Sequence, residues 1–303
     1  VTNIDTKPLG YGLIGCGAFG QFCLEQYRSL EDVRCVAVAD VQPEAARSVA
    51  ETFGLEACDS SETLLARDDV DIVHIATPPL THKQLALAAL RSGKHVLCEK
   101  PLAVDLGDAR DMVAAARDND RLLAVNLIMR YNPICESVKR VVDEGLLGEP
   151  LHGFFENYAK DEPLPPDHWF WDRDKSGGIF IEHGVHFFDL FQWWLGPGRV
   201  TAARETTRPG AEIVEQVNCT ASYGDVLVNF YHGFHQATRM DRQELRLVFE
   251  RGSVRLFEWV PTCIEIDCIA LSGSFELLKN LLPHVEQAAA TETYTGNERS
   301  VTS

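Results

Sequence analysis

The sequence has no apolar run long enough to cross a bilayer, no Cys-x-x-Cys pair, no internal repeat and no low-complexity stretch. The first absence excludes a membrane-spanning helix, which needs about 20 consecutive apolar residues. Cysteines number nine, an odd count, at 16, 23, 35, 58, 98, 135, 219, 263 and 268. Scattered in this way they fit buried, reduced thiols of a cytoplasmic protein better than a disulfide framework. Basic residues are scarce, 28 against 45 acidic ones, for a net charge of −17. That deficit argues against nucleic acid and anionic membrane as partners, since both need a basic surface. A signal peptide is not expected either, because Val1–Lys7 is polar. The chain does not open on Met, so a few residues are expected to be missing from its start.

What is present is ordinary for a globular protein: 45% hydrophobic and 24% charged residues over 303 positions, enough for two domains. Strands and helices alternate to about Val125, which predicts a parallel α/β sheet. The rest of the chain is organised around Gly10–Gly20. An apolar run at Leu13 and Ile14 enters Gly15-x-Gly17-x-x-Gly20, and a helix is predicted from Phe19 to about Ser29. Gly15 permits the tight turn, Gly17 a close approach to a pyrophosphate, and Gly20 tight packing of helix on sheet. The first-turn amides, around Ala18 and Phe19, then face an anion. A second apolar run, Val33–Ala39, ends in Asp40, where a ribose 2′-hydroxyl would be held. No arginine follows Asp40, and a carboxylate repels a 2′-phosphate, so NAD is preferred over NADP.

Two further stretches fall at the carboxyl ends of predicted strands, where open parallel sheets bind ligands. Thr77-Pro78-Pro79 follows the strand Asp71–Ala76, and Glu99-Lys100-Pro101 follows the strand His95–Cys98. A lysine in that place points its ammonium at the ligand crevice.

Beyond Asn126 the pattern changes. Met129–Pro133 reads as a loop and a helix is predicted from Ile134 to Glu144. Strands then follow at 151–158, 200–205, 214–223, 226–232, 244–250 and 254–259, with hairpin turns at Tyr223-Gly-Asp-Val and Glu250-Arg-Gly-Ser. An antiparallel sheet is expected, with the polar end Gln287–Ser303 frayed. Before those strands, Gly177-Gly178 opens a predicted helix on which Glu182, His186 and Asp189 share one face at i, i+4 and i+7. A carboxylate one turn from a histidine suits proton transfer. A metal site is the minor alternative, because Glu182-His183-x-x-His186 is not the His-Glu-x-x-His pattern. His183, His232 and His235 are read as structural.

These motifs, in this order, resemble the Gfo/Idh/MocA family, that of glucose–fructose oxidoreductase and inositol dehydrogenase. The resemblance rests on Gly15-x-Gly-x-x-Gly20, Thr77-Pro78-Pro79 with His82 five residues after Thr77, Glu99-Lys100-Pro101, and Gly177-Gly178 with Glu182-x-x-x-His186. It implies an α/β Rossmann domain (1–125) followed by an α+β domain (126–303) with a large, mostly antiparallel open sheet that often forms the oligomer interface. A homodimer or homotetramer is implied, with NAD(P)-dependent chemistry on a sugar, polyol or related carbonyl compound. The cofactor side would comprise Gly15, Gly17, Ala18, Phe19, Gly20, Asp40, Thr77, Pro78, His82, Glu99 and Lys100. The family's lysine falls on Lys100, its second-domain histidine on His186, and its usual aspartate on Glu182. The glutamate is a departure, and so is the short stretch after Trp259, for which a truncated end is expected.

The mechanism expected from these residues puts the substrate hydroxyl between Lys100 and His186. His186 takes its proton as hydride leaves carbon, Lys100 stabilises the alkoxide, and Glu182 orients His186 or binds a second hydroxyl. Arg130, Tyr158 and Trp171 are candidate substrate contacts, and no metal is expected. Two alternatives belong to other classes: a glycoside hydrolase that uses held NAD for transient oxidation, and a nonenzymatic nucleotide sensor.

Overall fold

Six short apolar runs form six parallel strands because both faces of their sheet are covered by helices. The computed structural model describes residues 7–160, 165–269, 272–281, 291–294 and 299–302. The first unit comprises the chain to Asn126 and, in addition, Asp172–Glu182. In chain order it runs β1 (Leu9–Ile14), α1 (Ala18–Tyr27), β2 (Val33–Ala39), α2 (Pro43–Phe53), β3 (Glu56–Cys58), α3 (Ser61–Leu65), β4 (Ile72–Ile75), α4 (His82–Arg91), β5 (His95–Cys98), α5 (Leu106–Asp118) and β6 (Leu123–Val125). The sheet order is β3-β2-β1-β4-β5-β6, so the sequence reverses direction across the sheet between β1 and β4. That switch opens a crevice at the carboxyl ends of those two strands.

Alternate residues of the strands serve opposite cores. Tyr11, Leu13 and Val38 pack with Leu24, Ala46, Val49 and Ala50 of α1 and α2. Ile14, Val73, Ile75 and Val96 pack on the other face with Leu64, Ala86, Leu90 and Met112 of α3, α4 and α5. Local signals set the helix ends. Pro43 stands in the first turn of α2, and Gly54 stops it in the left-handed region at φ +69°. Asp105 caps α5 by accepting from the amides of Gly107 and Asp108.

The second unit comprises Leu127–Trp171 and the chain from His183 onward. Its first elements are α6 (Pro133–Asp143) and β7 (Pro150–Lys160). Asn132 caps α6, accepting from Ile134 and Cys135. Two short helices of the first unit come next, α7 (Arg173–Ser176) and α8 (Ile179–Glu182). Then follow α9 (Val185–Leu195), β8 (Gly198–Thr207), β9 (Val214–Tyr223), β10 (Val226–Gln236), β11 (Arg242–Phe249), β12 (Gly252–Phe257), β13 (Cys263–Cys268), α10 (Ser272–Leu281), β14 (Thr291–Tyr294) and β15 (Arg299–Thr302).

The nine strands order as β14-β15-β13-β12-β11-β7-β10-β9-β8. Every pairing is antiparallel except β7 with β10. The mostly antiparallel sheet and both expected hairpins are present. β7 lies between β10 and β11 rather than at an end, so β10 and β11 do not pair. The core between α9 and the sheet is aromatic: Phe187 stacks on Phe155 at 3.5 Å, and Phe188 on Phe230 at 4.3 Å.

Three expectations are corrected. The helix predicted after Gly177-Gly178 is not continuous: α8 ends at Glu182 and α9 begins at Val185, with Gly177 stopping α7 at φ +81°. Glu182 and His186 therefore do not share a helix. Met129–Tyr131 belongs to a turn of 3-10 helix rather than an open loop. The polar end contains β14 and β15, which pair with each other; its other residues lie outside those described.

Candidate cofactor and active site

β1 delivers the chain into the glycine turn. Gly15 sits at φ +105°, and a Cβ there would lie 2.3 Å from the Ala76 carbonyl oxygen. A Cβ on Gly20 would lie 2.1 Å from the Gly15 carbonyl oxygen, so α1 can approach the turn only with glycine at 20. Gly17 differs: a Cβ there meets nothing within 4 Å. It stands at the N-cap of α1, which has no side-chain cap and no acid in its first turn. The leading amides of a helix have no intrahelical acceptor, so Ala18 and Phe19 stand where an anion would be received. An open cradle at Gly17, over an uncapped ten-residue helix, fits a dinucleotide pyrophosphate.

Asp40, at the end of β2, accepts from the Cys16 amide at 2.8 Å through Oδ2 and from the Gln42 amide at 2.8 Å through Oδ1. The carboxylate thus braces the turn through both of its oxygens, a role that the sequence pattern did not suggest.

Thr77 and Pro78 follow β4. The Thr77 hydroxyl meets that of Thr81 at 2.7 Å, which in turn donates to the Pro78 carbonyl. His82 is wholly buried, with Nε2 2.8 Å from the Thr77 carbonyl and Nδ1 2.8 Å from the Pro101 carbonyl. The ring stands between the two loops, and in its neutral form its single N–H donates to one of the two carbonyls. Burial pulls its pKa below the usual histidine range, and the two carbonyls only partly offset this.

Lys100 leaves β5 one residue after Glu99. Its ammonium donates to Glu182 Oε1 at 2.6 Å and to the Glu182 carbonyl at 2.7 Å. The side chains are 18% and 10% exposed, so this is a largely desolvated ion pair. The residue that departs from the expected aspartate is thus the partner of Lys100. On the same side of the sheet the sequence reading missed His74, a polar residue inside the apolar strand β4. It lies 2.9 Å from Glu99 Oε1 through Nε2. A lone histidine between Val73 and Ile75 was the available signal.

In the second unit, His186 is buried in the first turn of α9, edge-on to Trp259 with ring centroids 6.1 Å apart. Arg130 makes a two-pronged ion pair with Asp189, both contacts at 2.7 Å, and stands over the Trp193 ring. Tyr158 packs beside Tyr231 and under Arg242. Trp171 packs against Phe170 and Phe234, with Arg208 over its ring. His232 is buried and hydrogen-bonded to Asn157, while His235 is exposed.

The glycine turn, the doubly wound sheet and the second antiparallel sheet define a class of nucleotide-binding oxidoreductases. Residues 9–127 match the family model described as oxidoreductase family, NAD-binding Rossmann fold, and residues 135–255 match the GFO/IDH/MocA C-terminal domain. The chain belongs to the GFO/IDH/MocA family.

Among curated relatives, inositol 2-dehydrogenase of Rhizobium meliloti is 33% identical over 194 residues, 63% of this chain and 57% of that protein. The 2,7-anhydro-N-acetylneuraminate hydratase of Mediterraneibacter gnavus is 28% identical over 221 residues, 73% and 57% respectively. These alignments take in little more than half the length of either relative. Of solved structures, the WlbA dehydrogenase of Bordetella pertussis, in complex with NADH and UDP-GlcNAcA, superposes with a TM-score of 0.82. It is 21% identical, over 91% of this chain and 81% of that one, and shares the fold. Among the described residues no helix is long and apolar enough to cross a membrane.

Proposed function

We propose that this chain is an NAD-dependent oxidoreductase acting on the hydroxyl or keto group of a sugar, polyol or related compound. The observation that carries the proposal is the ion pair of Lys100 and Glu182 at the carboxyl end of β5, in the unit that holds the glycine turn. A dehydrogenase needs a fixed cation where an alkoxide develops, and a pure nucleotide binder does not. The named activities of relatives, inositol 2-dehydrogenase among them, support the same substrate class.

In this proposal residues 1–125 hold the cofactor and 126–303 supply substrate contacts and the self-association surface. The amides of Ala18 and Phe19, with Gly15, Gly17 and Gly20, receive the pyrophosphate. Asp40 accepts from the ribose and disfavours a 2′-phosphate. Thr77, Pro78 and Glu99 flank the nicotinamide end, and His82 holds their loops from behind. The nicotinamide, when bound, supplies the hydride acceptor or donor. Lys100 stabilises the alkoxide, and its desolvated surroundings strengthen that effect. His186 takes the hydroxyl proton during oxidation and returns it during reduction. Glu182 fixes the Lys100 ammonium. Tyr158 and Trp171 offer ring faces to a sugar, and Arg130 acts from its pair with Asp189. The active species is a cytoplasmic homodimer or homotetramer that binds neither nucleic acid nor membrane.

The test is a spectrophotometric screen with NAD or NADP against a panel of polyols and sugars, followed at the absorbance of reduced nicotinamide. Reduction with one substrate and a preference for NAD is the expected result. No turnover on any substrate, with no nucleotide bound, would overturn the proposal.

A further inference from the structure

A row of polar side chains crosses the core of the first unit. Tyr11 and Leu13 share a face of β1, and Leu13 pairs with His74 of β4. His74 pairs with Leu97 of β5, so Glu99, two residues on, returns to the same face. Asn126 follows β6, its amide donating to the Cys98 carbonyl. The sheet ladder therefore sets Tyr11, His74, Glu99 and Asn126 side by side on four neighbouring strands. Their side chains meet: the Tyr11 hydroxyl lies 2.6 Å from His74 Nδ1, His74 Nε2 lies 2.9 Å from Glu99 Oε1, and Asn126 Nδ2 donates to the same oxygen at 2.7 Å.

Tyr11, His74 and Glu99 are all buried. Burying such groups is costly unless each is hydrogen-bonded, and an apolar residue at 74 would fill β4 without that cost. An assignment of the protons in a single direction satisfies all three bonds. An ionised carboxylate only accepts, so His74 donates from Nε2. A neutral imidazole then has a bare Nδ1, which accepts from the Tyr11 hydroxyl. Two donors thus converge on Glu99 Oε1, in the residue immediately before Lys100. Tyr27 closes the row from above, its ring 5.3 Å from that of Tyr11 and 5.9 Å from that of His74.

From this geometry we infer that His74 is a positioning residue: with Tyr11 behind it, it holds the Glu99 carboxylate aimed, and so fixes the loop that presents Lys100. The inference rests on the oxidoreductase reading, in which that loop carries the reacting cation. A metal site is the competing use of the same atoms, because the Cys23 thiol also lies within 4.8 Å of the His74 and Glu99 donors. Both ring nitrogens are already engaged, however. Burial and the Glu99 charge also push the Cys23 thiol up to about 12, away from the thiolate a metal requires.

The experiment uses the full chain with His74→Phe, His74→Gln and Tyr11→Phe. The glutamine amide restores a donor toward Glu99. Nitrogen NMR of histidine-labelled wild type is expected to show, for His74, a neutral, exchange-protected ring with its proton on Nε2. That signal is lost in His74→Phe, and its Nδ1 resonance moves in Tyr11→Phe. On the substrate found by the screen, His74→Phe is expected to lower kcat on the order of 100-fold, the effect of misplacing a reacting group by about 1 Å. KM and NADH affinity change far less, and His74→Gln recovers most of the loss.

Wild-type kcat in a folded His74→Phe protein would overturn the inference, as would a His74 proton on Nδ1. Stoichiometric zinc bound by the wild type and lost in Cys23→Ala would replace it with a metal site. If His74→Phe does not fold, the Gln and Tyr11→Phe proteins decide by the same readouts. Should the wild type fail to bind NADH, the oxidoreductase reading falls. The NMR signal then decides whether His74 still fixes Glu99: a proton on Nε2 upholds that role and one on Nδ1 ends it.

Discussion

At the scale of single residues the pair of Lys100 and Glu182 carries the sharpest expectation. Lys100→Ala removes the ammonium that Glu182 holds through both its carboxylate and its carbonyl. Turnover is expected to fall by roughly a thousandfold, the loss of a transition-state donor, while NADH binding measured by fluorescence stays near wild type. His82 adds a pH dependence. Its pKa in the folded protein lies below the ordinary value near 6.5, because the ring is buried. The unfolded chain therefore binds the extra proton first. The stability His82 contributes is present above that ordinary value and is lost as pH falls through it toward the folded pKa. Urea midpoints are expected to decline below about pH 6.5, and more shallowly in His82→Gln. The motif residues themselves were legible because they are rare types at fixed offsets from strand ends. What they touch was not. Nothing local in Asp40 announces the Cys16 amide, and nothing in Glu182 announces an ammonium 82 positions earlier.

Elements follow their own logic. Gly20→Ala would set a methyl 2.1 Å from the Gly15 carbonyl oxygen, a backbone atom with little freedom to yield. The expected outcome is displacement of α1 from the turn, read as loss of NADH affinity with most of the far-ultraviolet dichroism kept. Asn132→Ala removes the cap of α6, where one side-chain oxygen serves two amides. That costs about 1 kcal/mol, measurable as a shifted urea midpoint. The first sheet was readable from its alternation of apolar runs and helical periods, since each βα unit announces itself within some 30 residues. The helix break at His183 and Gly184 was not readable. Glycine inside a helical pattern is ambiguous, and the flanking spacing of Glu182, His186 and Asp189 suits an unbroken helix. Nor could the place of β7 be read. Its partners β10 and β11 lie more than 60 residues away, and no local signal chooses between an edge and a centre.

For the whole molecule the nine cysteines give a global probe of integrity. All are free thiols; Cys263 is exposed, and Cys16, Cys23, Cys58, Cys98, Cys135 and Cys219 are buried. Burial pushes Cys16, Cys23 and Cys135 up to about 12 and Cys219 to about 11. A thiol reagent at neutral pH is expected to label Cys263 at once and to reach the six buried groups only on unfolding. Their labelling rate then reports opening of either core. The return of Asp172–Glu182 to the first unit has a consequence of another kind. A crossover between two genes at position 126, the natural seam by eye, would transplant the glycine turn, Asp40 and Lys100 together. It would leave behind Glu182, the carboxylate paired with Lys100. Shuffled descendants of this chain would inherit the glycine turn and Lys100 from one parent and the counter-ion of that lysine from the other. Exchange at that seam is therefore expected to keep the ion pair where the second parent also places an acid at residue 182.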